Sequence, residues 1–167
     1  MNLDRIEYNQ DEENDKLQIF LFNMIEEEID FIEQARREGY QLNAEHTVSS
    51  LSELERYVLD KGINYQDKSD EALHHRSLCW YYLGEVVREN FGGYWQFSMN
   101  EDNTMHWGLY VIEGHTPIPG LEFEPLGLLK RFTRRRNLGS LRRAIESQVN
   151  PEPVDLSEFP DEDEFVE

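Results

Sequence analysis

Residues 70–99 read DEALHHRSLCWYYLGEVVRENFGGYWQFSM, and their hydrophobic periodicity changes at Gly92-Gly93. Before the glycine pair, apolar residues recur every three or four positions, which predicts a helix over about 70–91 with Ser69 as its N-cap. After the pair, residues 94–99 alternate as a strand does, and 104–112 would form the second strand of a hairpin spanning 94–112. A long helix leading directly into a hairpin predicts an α+β fold.

The same periodicity places further elements on both sides of this stretch. Upstream, it predicts helices over about 15–37 and 51–61, the second with Ser50 and Glu53 at capping-box spacing. Downstream, it predicts a short strand at 121–124, a helix that begins at Pro125, and a last helix capped by Ser140 and ending near 148. We therefore expect one domain over 1–150, in which N-terminal helices pack with a small antiparallel sheet and basic C-terminal helices follow.

Two residues inside the 70–91 helix are unusual there. A glycine in a helix costs about 1 kcal/mol relative to alanine, so Gly84 indicates close helix packing. Glu85 is an acid among apolar neighbours, and we expect it to form a buried ion pair with Lys130 or Arg131 that fixes one helix against another. The alternative is that Glu85 is a ligand-binding carboxylate.

The charge of the 167-residue chain is strongly negative and unevenly distributed. There are 16 Lys and Arg against 35 Asp and Glu, which gives a net charge of −19. Seven of the bases fall within 130–143, and residues 151–167 form an acidic tail without a base. This balance makes nucleic-acid or anionic-membrane binding unlikely and favours a basic partner. The sequence leaves three interpretations of the tail: it is inert, it docks on the basic segment 130–143, or it binds a partner.

The chain lacks the sequence features of secretion and metal binding. The single cysteine, Cys79, excludes an internal disulfide and a multi-thiolate zinc site. No apolar run reaches the roughly 20 residues that span a bilayer, and the N-terminus has no apolar core of a signal peptide. We expect a cytoplasmic protein without metal or cofactor.

Two pairs of residues that include histidine are the candidates for catalysis. His75 and Cys79 share a helix face at a spacing suited to a nucleophile and its base, while His106 and His115 fall in and after the predicted hairpin. Neither pair has an orienting acid that the sequence fixes, and catalytic motifs such as GxSxG, HExxH or a P-loop are absent. The sequence therefore favours a protein that is not an enzyme.

The segment from Trp80 onward carries a family resemblance. WYYLGEVVRENFGGYW (80–95), LGLLKR (126–131) and LGSLRRAIES (138–147) resemble small uncharacterised bacterial α+β domains found beside secreted toxins, where small acidic proteins serve as immunity proteins. The matching positions are Leu83, Gly84, Glu85, Gly93, Trp95, Pro125, Lys130 and Arg131. The resemblance covers about 72–148 and implies no catalytic residues, and Arg134-Arg135-Arg136 departs from its pattern.

These observations predict a non-enzymatic binding protein, specifically an immunity protein that covers a basic toxin domain with an acidic surface. The alternative is a ligand-binding or regulatory domain with a pocket between the 70–91 helix and the hairpin; an enzyme is the third reading. The candidate partner-binding residues lie on the first helix, in the hairpin turn and beside it: Glu26, Glu27, Asp30, Glu33, Glu101, Asp102 and Trp107.

Overall fold

The structure, a computed structural model, describes residues 5–150. The described residues form five α-helices and a small three-stranded sheet, so the predicted α+β fold is confirmed. The elements are α1 (Gln10–Arg37), α2 (Leu51–Asp60), α3 (Asp70–Phe91), β1 (Tyr94–Phe97), β2 (Tyr110–Glu113), β3 (Glu122–Phe123), α4 (Pro125–Arg135) and α5 (Ser140–Val149). The acidic tail 151–167 and its predicted docking on 130–143 lie outside the described residues.

The sheet is antiparallel with the strand order β1-β2-β3. Trp95 pairs with Ile112, which in turn pairs with Phe123. The predicted start of the second strand at residue 104 is wrong, because residues 104–106 form a 3₁₀ turn and the strand begins at Tyr110. The Asn103 side chain accepts a hydrogen bond from the Met105 amide, and such local bonding competes with the β ladder.

Helix α3 is the central element of the core. It contacts α1, α2, α4 and β2, and every residue from Leu78 to Val87 is buried. Its predicted N-cap is confirmed, since the Ser69 hydroxyl accepts a hydrogen bond from the Ala72 amide at 3.2 Å. Because α3 is surrounded, the elements on either side of it are positioned by its surface.

Gly84 shows why α3 contains a glycine. A Cβ at this position would lie closer than 3.0 Å to two ring carbons of Trp95, a distance that real Cβ atoms do not show. The predicted close packing is therefore confirmed, although the neighbour at Gly84 is a strand residue and not another helix. Trp95 in turn packs on Trp80, with ring centroids 4.6 Å apart.

Two predicted helix caps on either side of α3 are wrong, although α2 begins at Leu51 as predicted. Ser50 makes no capping bond; its hydroxyl donates to the Thr47 carbonyl at 2.6 Å and contacts the Tyr82 hydroxyl at 2.7 Å. Ser140 is the first residue of α5 and does not cap it. Instead the buried carboxylate of Glu55 accepts hydrogen bonds from the Gly139 amide at 2.8 Å and the Leu141 amide at 3.3 Å.

Helix α1 begins five residues earlier than predicted. Asn9 is its N-cap and accepts a hydrogen bond from the Glu12 amide at 3.2 Å. Acidic residues at 11–13 and basic residues at 36–37 complement the helix dipole at the two ends. This long helix is thus stabilised at both termini while one side of it remains in solvent.

Candidate protein-binding surface

The solvent side of α1 carries large apolar residues. Ile19, Phe22, Ile25 and Ile29 are between 56% and 66% exposed. At 3.6 residues per turn they lie within about 120° of one another around the helix. The buried side of α1, which includes Leu17, packs on the core. The exposed residues therefore form a continuous apolar stripe and not scattered single positions.

Three of the predicted acids lie beside this stripe. Glu26, Asp30 and Glu33 are exposed and lie within about 40° of Ile19 around the helix, on one side of Phe22, Ile25 and Ile29. Glu33 pairs with Arg37 at 2.6 Å, whereas no cationic side chain of residues 5–150 lies within 4.0 Å of Glu26 or Asp30. We refer to the stripe and these acids together as the α1 outer face: Ile19, Phe22, Ile25, Ile29, Glu26, Asp30 and Glu33.

Glu27, the fourth acid predicted on α1, points to a different neighbour. Its carboxylate lies 3.3 Å from Nδ1 of His74 on α3, and both side chains are about half exposed. An exposed pair of this kind contributes little to stability. Glu27 therefore belongs to the edge between α1 and α3 and not to the α1 outer face.

The candidate residues of the hairpin turn form a separate group. The Trp107 indole donates a hydrogen bond to the Ile6 carbonyl at 2.8 Å, and the Arg5 guanidinium lies 4.2 Å from the centre of its ring. Arg5 also lies 3.8 Å from the Glu101 carboxylate, while Asp102 is exposed. Trp107 and Glu101 thus hold the N-terminal segment. The structure does not bring them together with the α1 outer face.

The predicted ion pair of Glu85 with Lys130 or Arg131 is wrong. The buried Glu85 carboxylate accepts hydrogen bonds from Arg88 and from the Tyr81 hydroxyl, both at 2.5 Å. These partners lie one turn away on the same helix, and sequence spacing alone cannot rank them against a distant cation. Lys130 instead lies 5.8 Å from the ring centre of Tyr65, and Arg131 is exposed.

The basic helices are only partly neutralised within the described part of the chain. Arg142 pairs with Glu146 at 2.8 Å. Arg131, Arg134 and Arg135 are exposed, and no carboxylate of residues 5–150 lies within 4.0 Å of them. The cationic surface of α4 is therefore available to solvent on the described part of the molecule.

A buried acid–base pair that sequence reasoning missed links α1 to the loop before α2. Nε2 of His46 lies 2.7 Å from Oε1 of Glu28, and both residues are buried. Burial raises the pKa of Glu28, and the hydrogen bond to His46 offsets this only partly. Burial lowers the pKa of His46, but the hydrogen bond and charge of Glu28 outweigh it and the net shift is upward. The one signal in the sequence was Glu28 itself, an acid that interrupts the apolar side of α1.

His75 and Cys79 do not form a nucleophile–base pair. Nε2 of His75 contacts the Tyr57 hydroxyl at 2.5 Å, and burial lowers the pKa of His75. Cys79 is fully buried, which raises the pKa of its thiol to about 12. A neutral thiol inside the core has neither the charge nor the access that nucleophilic catalysis requires.

His106 and His115 have different partners. Nδ1 of His106 lies 3.4 Å from the buried Glu122 carboxylate, which also accepts a hydrogen bond from the Ser98 hydroxyl at 2.6 Å. Nε2 of His115 contacts the Gln148 side chain at 2.7 Å. Ser98 is fully buried and donates to the acid and not to a histidine, which is not the arrangement of an activated serine.

Within residues 5–150, no group of three or more His, Cys, Asp or Glu side chains is placed to hold a metal ion. No helix there combines the length and apolar character needed to cross a bilayer. Comparison of the chain with protein-family models, curated proteins and solved structures finds no match. The resemblance to immunity proteins stays a prediction.

Proposed function

We propose that this chain is a non-enzymatic cytoplasmic binding protein that docks on a basic protein partner through the α1 outer face. The single observation that carries the proposal is the apolar stripe, because large apolar residues grouped on a helix in solvent are typical of an interaction site. Burying one Ile or Phe side chain contributes about 1.5–3 kcal/mol. Four such residues supply enough apolar surface for the centre of an interface.

The acids beside the stripe determine which partner fits. Glu26 and Asp30 have no cation of residues 5–150 beside them, so a basic surface would neutralise them. A second copy of α1 would bring the same acids together, which disfavours self-association through this face. A partner helix with apolar residues on one side and Lys or Arg along its edge satisfies both the stripe and the acids.

The more specific proposal is that the partner is a bacterial toxin domain and that binding neutralises the toxin by covering it. The sequence resemblance over 72–148 supports this version, as does the acidity of the chain. An acidic surface raises the association rate with a basic partner, which favours rapid neutralisation. The docking proposal does not depend on the identity of the partner as a toxin.

The test is co-expression with the product of the adjacent gene, followed by measurement of the dissociation constant at two salt concentrations. We expect Phe22→Asp to weaken binding about 30- to 900-fold, since it removes an anchor of about 2–4 kcal/mol. Glu26→Lys with Asp30→Lys should weaken binding and reduce its salt dependence. Leu138→Asp is the matched control, because Leu138 is equally exposed at 64% but lies between α4 and α5.

Two outcomes would contradict the proposal. One is a complex whose affinity is equal for the Phe22→Asp and Leu138→Asp variants. The other is a homodimer in analytical ultracentrifugation that Phe22→Asp converts to a monomer. In that case the stripe would serve self-association.

A further inference from the structure

A cavity of about 550 Å³ lies between α1, α3, the hairpin and the start of α4. Its walls are mainly aromatic, with Phe20, Trp80 and Tyr110 packed against one another and Tyr65 opposite α4. Leu73 and Leu126 stand at its rim and are partly exposed. The volume is in the range of small-molecule sites.

The cavity contains a buried positive charge without an acidic partner. Arg76 is 7% exposed, and its Nη1 donates to the Asp67 carbonyl at 2.6 Å and more weakly to the Asn64 carbonyl at 3.4 Å. Its guanidinium lies 5.1 Å from the ring centre of Tyr65. No carboxylate of residues 5–150 lies within 4.0 Å of it. In so acidic a chain, a buried guanidinium that pairs only with carbonyls is an incompletely compensated charge.

A second polar group lies beside Arg76. Tyr65 lines the cavity, and its hydroxyl is buried and makes no hydrogen bond with the described residues. A tyrosine hydroxyl is protonated at neutral pH and can donate, and burial raises the pKa of Tyr65 further. The guanidinium lies over the ring of the same tyrosine, and guanidinium and hydroxyl groups are both donors that bind a carboxylate.

The acids in the wall already have partners. Glu13 pairs with Lys16 at 3.1 Å, and Glu124 accepts hydrogen bonds from the Leu126 amide at 2.7 Å and the Gly127 amide at 2.8 Å. Their charges nevertheless disfavour a dianion such as a phosphate monoester. A monoanion with an apolar body suits this combination of walls and charges.

We propose that this cavity binds a small aromatic or aliphatic monocarboxylate. Its carboxylate contacts Arg76 and the Tyr65 hydroxyl, and its apolar body packs on Trp80, Phe20 and Tyr110. The helical period places Phe20 on the opposite side of α1 from the middle of the stripe, so this site is separate from the α1 outer face. A carboxylate metabolite and the C-terminal end of an apolar peptide offer the same chemistry.

The test uses two probe pairs on the full chain. The first is 3-phenylpropionate with its neutral amide; the second is N-acetyl-phenylalanyl-phenylalanine with its C-terminal amide. Binding is followed by the indole NMR signal of Trp80 and by calorimetry. We expect at least one acid to bind about tenfold more tightly than its amide, since each amide lacks the charge that Arg76 recognises. Which acid binds distinguishes a metabolite from a peptide end.

Variants connect the result to the named residues. Arg76→Gln should reduce acid affinity to that of the amide, and Arg76→Lys should retain part of it. Arg134→Gln is the matched control, because it removes one positive charge from an exposed position. If Arg76→Gln unfolds the domain, Ser77→Trp fills the cavity from α3 and should abolish binding of the acid.

Three results would overturn the proposal. They are equal binding of acid and amide in both pairs, no shift of the Trp80 signal with either acid, and unchanged acid affinity in Arg76→Gln or Ser77→Trp. None of these results bears on the α1 outer face, so the two proposals fail independently.

Discussion

Replacing Gly84 with alanine tests how α3 packs on the sheet. Alanine gains about 1 kcal/mol of helix propensity over glycine. The new Cβ, however, would push the Trp95 ring by about 1.5 Å before ordinary contact is restored. Trp95 is held by Trp80 and by Tyr81, whose ring lies 6.4 Å away in a stacked arrangement, so the ring has little room to move.

We therefore expect Gly84→Ala to lower the free energy of unfolding. Overpacking costs about 1–3 kcal/mol, and the crowded surroundings place this position at the upper end. Subtracting the gain in helix propensity leaves a net loss of about 2 kcal/mol. Urea denaturation followed by far-UV circular dichroism should show a midpoint lower by about 1 M.

The control for this prediction is the same substitution in a Trp95→Leu background. With the ring removed, the propensity gain remains, and Gly84→Ala should be neutral or stabilising. A loss below about 0.5 kcal/mol in the natural sequence, or an equal loss in both backgrounds, would refute the packing argument.

Three further predictions concern buried polar groups. Glu55→Ala should lower the free energy of unfolding, measured by urea denaturation, by about 2–4 kcal/mol, because it leaves the Gly139 and Leu141 amides without an acceptor. The control, Glu146→Ala at an exposed position, should lower it by under about 1 kcal/mol. Similar losses for the two variants would contradict the capping role of Glu55. Because the pKa of His46 is raised on folding, its contribution to stability is complete below its unfolded pKa and is lost as the pH rises through the folded value. The stability difference between the natural protein and His46→Gln should therefore shrink as the pH rises above about 6.5, and a difference that grows would reverse the sign of the shift. Cys79 should react with a disulfide reagent only at the rate of unfolding, since burial raises the pKa of its thiol to about 12, and rapid labelling of the native protein would contradict this burial.

The order of the main elements follows from the sequence because each has a strong local signal. The period changes at Gly92-Gly93, and Ser69 and Pro125 start their helices where propensity predicts. The misplaced strand start at 104 has a local cause as well, since Asn103 bonds to its own turn. Periodicity reports which residues are apolar but not which backbone groups a nearby side chain captures.

The contacts that the sequence did not predict are those between segments that are distant along the chain. Glu55 caps α5 from α2, and Glu28 meets His46 across a loop, and no sequence spacing encodes either contact. At Glu85 the error is the opposite one: a partner in a distant helix, Lys130 or Arg131, was predicted, whereas the carboxylate pairs with Arg88 on the same helix.

The sequence predicted only the charged part of the α1 outer face. The acids Glu26, Asp30 and Glu33 were predicted from their charge, but the exposed Ile25 and Ile29 were not among the residues predicted to bind a partner. Helix α1 is more exposed than its apolar content suggests. Only the packed structure therefore shows which of its apolar residues are buried in the core and which form the exposed stripe. The apolar anchors of the proposed interface came from the structure, and the charge that selects its partner came from the sequence.

Site-specific photo-crosslinking is the measurement that tests the docking proposal most directly. A benzoyl-phenylalanine replaces Phe22 in one experiment and Leu138 in another, in cells that also express the product of the adjacent gene. The proposal predicts a crosslink from position 22 to that product, with a basic segment at the crosslinked site and a yield that falls as salt rises, and none from position 138. Crosslinking from position 138 alone, or from position 22 only to a second copy of the same chain, would contradict it.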